Sequence, residues 1–292
     1  MKTVIIGNHG HLGGALVRVG TRLGLEIVPL DLPEFDITAR RIVLETLVPL
    51  NPDVIVNAAG IEQIDWLETH SNTSRSIHVQ GTANLREAAK RSDALLLQFS
   101  TAEVFGDAAT IDGFKEIDQP QPLSVYAKTK LDSERAASEI SRHLLVRTSL
   151  VYGKTTDRSS GSIVETVLNA VRRTRNFKVL SDVYVSPVWT DYTAEAVFSL
   201  ISETLRNEKY GLYHISSSEA ASYFDIVQEL ARLTGLKMEI EPITAKEYGF
   251  RIPRTLFSVL DASKYHALPN VFKIPDWRRS LADYIDSRAV ML

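Results

Sequence analysis

Seven residues near the start of the chain, Gly7-Asn8-His9-Gly10-His11-Leu12-Gly13, constrain the fold more than any other segment. They follow the β-branched run Val4-Ile5-Ile6 directly and open the helix-like stretch Leu12 to Leu23. The first glycine permits a tight turn, the second lets a pyrophosphate approach the backbone, and the third lets a helix pack closely on a sheet. The helix that follows offers unpaired N–H groups and a partial positive charge to phosphates. Glycines at this spacing are common in loops, so the weight comes from their place between a strand and a helix. On this reading Gly7, His9, Gly10, His11, Leu12 and Gly13 form a dinucleotide site. Asp31 ends the next strand-like run, 24 residues after Gly7, where a carboxylate accepts hydrogen bonds from an adenosine ribose. It would repel a 2′-phosphate, and Leu32, Pro33 and Glu34 supply no compensating base, which favours NADH over NADPH.

The alternation begun there continues. Glu26–Leu30, Asp53–Asn57, Ala94–Ser100 and Leu144–Arg147 read as strands, and Ala39–Val48, Ser76–Arg91 and Val125–Ser141 as helices between them. Short apolar strands spaced by helices predict a parallel sheet covered on both faces, with helical crossovers. The expected fold is therefore α/β, a Rossmann-type doubly wound sheet. The second half is less regular. Helices are predicted over Ser162–Arg173, Thr193–Leu205 and Tyr223–Thr234, with short strands at Phe177–Leu180 and Tyr213–Ser216. A stretch rich in Pro and polar residues runs from Pro242 to Pro275, before a last amphipathic helix, Asp276–Ile285, carrying Trp277, Leu281 and Tyr284. The expected division is a dinucleotide-binding domain over 1–153, to which about 188–215 return, and a smaller substrate-binding part from 154–187 and 216–292.

Composition narrows the function by exclusion. Thirty-three Lys and Arg stand against 36 Asp and Glu, a formal charge of −3, which lacks the basic excess of a nucleic-acid binder. The absence of cysteine excludes disulfides, thiolate metal sites and a cysteine nucleophile. No run approaches the length of a membrane span, and the opening residues are too short an apolar run for a secretory signal, so a cytoplasmic protein without a membrane partner is expected. His9 and His11 have no third ligand arranged nearby, so no metal is expected there. Hydrolase elbow, zinc-protease and nucleoside triphosphatase motifs are missing. Arg172, Arg173 and Arg175 read as a solvated helix end.

A second pattern carries chemistry. Tyr126 and Lys130 are four residues apart on a predicted helix and share a face. A phenol with a pKa near 10 is a poor acid–base group at neutral pH, and a nearby ammonium lowers that value. Such a pair delivers a proton to a carbonyl oxygen or takes it back. The bare pair arises often by chance. It gains weight from Thr101, 25 positions earlier, at the end of a predicted strand where ligands bind in open α/β sheets.

Taken in order, several segments resemble the extended short-chain dehydrogenase/reductases, most closely the dTDP-4-dehydrorhamnose reductases, over almost the whole length. They are Gly7–Gly13, Pro52–Ala59, Gly81–Leu85, Ser100-Thr101, Pro122–Lys130, Arg147–Gly153, Ser186-Pro187 and Gly211–His214. The resemblance implies hydride transfer from a nicotinamide cofactor to the C4 ketone of a nucleotide-linked 6-deoxysugar. On the matching positions Tyr126 donates the proton, Lys130 holds the nicotinamide ribose and lowers the tyrosine pKa, and Thr101 polarises the ketone. Asn57, Ala58 and Ala59 line the cofactor, Asp36 and Ile37 lie near the adenine, and Glu62, Leu150, Trp189 and Arg254 face the substrate. Departures cluster around the sugar. Ala102 replaces the acid that the related dehydratases use beside the one retained here as Glu103, Leu150 stands where a Trp is frequent, and His78 replaces a common Asn. An NAD-dependent sugar-nucleotide epimerase is the enzymatic alternative. A non-catalytic cofactor-binding subunit, like the one that accompanies methionine adenosyltransferase, is the other. The sequence leaves the oligomeric state open, with a homodimer the assembly considered.

Overall fold

Strands without a polar face must be buried on both sides, and the chain places them at the centre of one sheet. The computed structural model describes residues 1–106, 112–154, 162–171 and 174–289. In the first half the elements are β1 (Lys2–Ile6), α1 (His11–Arg22), β2 (Glu26–Leu30), α2 (Arg40–Leu50), β3 (Val54–Asn57), α3 (Ile64–Thr69), α4 (Ser71–Arg75) and α5 (Gly81–Ser92). They continue with β4 (Leu95–Thr101), α6 (Val125–Ala137) and β5 (His143–Thr148). The second half holds β6 (Val151–Tyr152), α7 (Ile163–Ala170), β7 (Asn176–Leu180), β8 (Tyr184–Val185), β9 (Val188–Trp189), α8 (Thr190–Asn207) and β10 (Gly211–His214). After these come β11 (Ala221–Ser222), α9 (Tyr223–Thr234), β12 (Glu239–Ile243), α10 (Ala245–Tyr248), β13 (Phe257–Ser258), α11 (Ser263–His266) and α12 (Trp277–Ala289). Arg172 and Arg173, at the predicted end of α7, lie outside the described residues.

Six strands form the main sheet in the order β10-β5-β4-β3-β1-β2. All neighbours are parallel. This is the Rossmann-type sheet that the alternation predicts. Alternate residues point to opposite faces. Ile5, Val54, Val56, Leu95, Leu97 and Val146 pack against α1 and α8, whose Leu16, Val19, Val197 and Leu200 are fully buried. Val4, Ile6, Ile55 and Leu96 pack against Val43, Leu47, Leu85 and Ala88 of α2 and α5. A third core joins α7, α9 and α12 through Val164, Val167, Ile226, Leu230, Trp277, Leu281 and Tyr284. Among the described residues no helix is long and apolar enough to cross a membrane.

Two local features have physical reasons. Pro29 stays inside β2 because β2 is the sheet edge, where a missing donor is tolerated. The segment before α5 is more helical than its composition suggests. Serine-rich residues 71–76 favour turns by propensity, yet they form α4 and lead into a π turn, Ser76–Gln80. Burial decides the matter, since Ser74 and His78 are both enclosed.

One ion pair fixes α6 to the sheet. Arg147, near the end of β5, meets Glu134 through two hydrogen bonds of 2.8 and 2.7 Å. Ser100 adds a third at 2.5 Å, and both charged side chains are buried. Removing one member strands the other charge in the interior. Glu134→Ala is therefore expected to cost about 3–5 kcal/mol, read as a lower urea midpoint, with Glu134→Gln losing less.

Candidate active site

The glycine turn is shaped by close approach. Gly7 has φ +84, and a Cβ there would meet the Ala59 nitrogen at 2.6 Å. A Cβ at Gly13 would lie 2.0 Å from the Gly7 carbonyl oxygen. Gly10 is the N-cap of α1 and supplies no side-chain cap, so the first amides of that helix stay available to a ligand. Asp31 accepts the His9 amide at 2.8 Å and the Leu32 amide at 2.8 Å, which fixes the carboxylate beside the turn.

Helix α6 starts at a Ser124 cap whose hydroxyl accepts the Ala127 amide at 3.1 Å. It carries Tyr126 and Lys130 on the face turned to β4. The Lys130 ammonium donates to the Phe99 carbonyl at 2.6 Å. Burial pulls its pKa down to about 8, while the charges of Glu134 and Glu62 act in the other direction. For Tyr126 the balance is the reverse of that expected from a neighbouring lysine. Burial raises the phenol above its ordinary range, the carboxylates Glu62 and Glu103 add to the rise, and a hydrogen bond with Thr101 opposes it. The phenol is thus neutral throughout the physiological range, an acid ready to donate.

Two cavities meet at these residues. One, of about 680 Å³, runs from Gly10, His11 and Leu12 past Ala58 and Ala59 to Thr101, Tyr126 and Lys130. The other, of about 580 Å³, shares Glu62, Thr101, Tyr126 and Leu150 and extends to Trp66, Glu103, Arg254 and Ser258. The first fits an elongated ligand with phosphates at the α1 end. There the buried His11 Nε2 has no partner within the protein, and burial lowers its pKa. Among the described residues lining the second, Arg254 is the one cation, paired with Asp65 at 2.9 Å and leaving its buried Nε without a partner. Glu103 accepts the Ser258 hydroxyl at 3.1 Å, and burial raises its carboxyl.

Other predicted residues lie elsewhere. Asn57 is buried and holds the turn after β3, donating to Gln98 at 2.7 Å and accepting the Ala59 amide at 3.2 Å. Asp36 caps its own turn through Thr38, and Ile37 packs on Gly81; neither is among the residues lining these two cavities. Trp189 packs on Tyr192 and Tyr284 against the third core and is not among the residues lining either cavity. Tyr223 and Ser149 line both cavities and went unmarked in the sequence reading. Their only signals are the Ser222 capping box before α9 and the turn after β5, neither of which speaks of a ligand.

The backbone clash at position 13 makes a prediction. Gly13→Ala must displace the first turn, an overpacking cost of about 1–3 kcal/mol. It is expected to weaken NADH binding about tenfold or more in a fluorescence titration; unchanged binding would show that the turn is not the phosphate cradle.

With this geometry in place, the family model of the RmlD substrate binding domain matches residues 1–290. The spore coat polysaccharide biosynthesis protein SpsK of Bacillus subtilis (strain 168) is 29% identical over 290 residues, covering 99% of this chain and 98% of the relative. The crystal structure of a dTDP-4-dehydrorhamnose reductase from Clostridium acetobutylicum has a TM-score of 0.90 at 28% identity, covering 99% and 100% of the two chains. The dTDP-4-dehydrorhamnose reductase of Bacillus anthracis, solved in complex with NADP, gives a TM-score of 0.90 at 23% identity over 98% of this chain and 100% of its own, a likeness of fold. From its first strand to its last helix, this chain belongs to the RmlD substrate binding domain family.

Proposed function

We propose that the protein reduces the C4 ketone of a nucleotide-linked 4-keto-6-deoxysugar, the class of substrate in the name of its Clostridium relative. The observation that carries this reading is the junction of the two cavities at Tyr126, where a neutral phenol, the Thr101 hydroxyl and a buried ammonium converge. A nicotinamide cofactor, when bound, supplies the hydride. Gly10, His11 and Leu12 at the α1 end, Ala58 and Ala59 in the middle, and Lys130 at the reacting end would hold it. Thr101 and Tyr126 would hydrogen-bond the C4 oxygen, and Tyr126 would give its proton as the oxygen gains charge. Lys130 would stabilise the resulting phenolate, since an ammonium favours that form. Glu62 and Leu150 would flank the sugar, and Arg254 would meet a phosphate. Residues 154–187 and 216–292 would form the substrate-binding part, a division supported by Tyr223, Arg254 and Ser258 in the second cavity. The carboxylate of Asp31, held at the first turn, supports NADH over NADPH.

The test is NADH absorbance in the presence of a freshly generated dTDP-4-keto-6-deoxysugar. Net consumption is expected; tightly retained NAD without consumption would favour an epimerase. Tyr126→Phe is expected to keep NADH binding and lose about 10²–10⁴ in kcat, and near-native turnover would remove the proton-donor assignment. Asp31→Ala is expected to erode the NADH preference, measured as the ratio of kcat/KM for the two dinucleotides. Lys130 carries its charge below its pKa, so the rate is expected to fall as pH rises through about 8. That limb should move to higher pH in Lys130→Arg, and a limb left in place would exclude Lys130 as its source.

A further inference from the structure

His78 lies on the π turn before α5 and lines the first cavity, yet no step above uses it. Such turns inside helices are frequent at functional sites. The ring is 3% exposed and stands edge-on to Tyr126, with centroids 5.8 Å apart. Its Nε2 lies 3.3 Å from the Ile61 amide, which is only a donor, so Nε2 must accept. The proton of the neutral ring is then on Nδ1 and points to Thr129 Oγ1 at 2.9 Å. Thr129 in turn donates to the carbonyls of Val125 or Tyr126, each at 3.0 Å. Ser74 donates to the same Thr129 oxygen at 2.8 Å. Every donor in this series thus has an acceptor, and only one tautomer satisfies it.

The two ends of the series belong to different parts of the site. Ile61 sits in the cavity-lining stretch from Ala58 to Gln63, between the dinucleotide turn and the substrate cavity. Thr129 is on α6, between Tyr126 and Lys130. A Cβ at Gly60 would come 3.4 Å from Nε2, so the loop backbone rests on the ring.

We propose that His78 is a positioning residue that clamps the loop from Ala58 to Gln63 to helix α6 and so sets Tyr126 and Lys130 against the dinucleotide. This rests on the reductase reading above. The clamp needs a side chain that accepts at one end and donates at the other, with the ring's width between. Asn at this position reaches only one end.

The experiment combines turnover with amide exchange. His78→Phe keeps the ring volume and removes both bonds; Thr129→Val keeps the shape and removes the relay. In each, kcat at saturating NADH and sugar is expected to fall tenfold or more, with the sugar KM within about threefold. The double variant is expected to be no worse than the poorer single, as for two members of one unit. His78→Asn is expected to recover part of the loss. A change below twofold in kcat, or multiplying losses in the double variant, would overturn the proposal. Hydrogen exchange at the Ile61 amide, read in the protein alone, is expected to quicken about tenfold in His78→Phe, and unchanged exchange would overturn the clamp by itself. That measurement needs no substrate. If the native protein reduced no 4-keto sugar, the reductase reading would fall while the exchange result still decided whether the loop is tied to α6.

Discussion

The site depends on a buried ammonium. Lys130 is almost fully enclosed, and a charge in such a place must be hydrogen-bonded or lose its proton. The Phe99 carbonyl holds it from β4, and the negative charge of Glu134 favours it from one turn further along α6. Glu134 is in turn held by Arg147 and Ser100, so the cation on α6, the carboxylate beneath it and the guanidinium on β5 form a ladder of alternating charge. The ladder explains why α6 has one height on the sheet. Sliding the helix by a turn would leave one of three charges uncompensated.

Much of this arrangement was legible in the sequence, and the reason differs from part to part. The alternation of apolar runs in β1, β3, β4 and β5 fixed the sheet because each residue has to go to one face or the other. Helix α9 has the bounds its spacing predicts, Tyr223–Thr234, and the structure shows why: a capping box at Ser222 opens it and a left-handed Gly235 closes it. The π turn was not legible. An inserted residue in a helix has no compositional mark, and serines 71, 74 and 76 argue for a loop until the burial of Ser74 is known.

The candidate site shows the same division. Gly7, Gly10 and Gly13 announced themselves through spacing, because backbone packing demands the absence of a side chain at fixed intervals. Tyr126, Lys130 and Thr101 were found through a helical repeat and a strand end. Trp189 shows what spacing cannot decide: an aromatic ring serves a core or a cavity equally well, and here Tyr192 and Tyr284 claim it. Tyr223, Ser149 and Ser258 come from three distant segments, brought together only by the fold.

The edge position of Pro29 has a consequence for association. Leu30 turns its carbonyl inward, accepting the Gly7 amide at 3.0 Å, so the neighbouring residue 29 points its backbone away from β1. The donor that proline lacks is therefore missing from the outer rim. A strand from another molecule that approached this rim would find one rung of the ladder missing near the end of β2, and the interruption resists growth of the sheet by addition of strands. At the β2 edge of the sheet one imino acid thus works against edge-to-edge association.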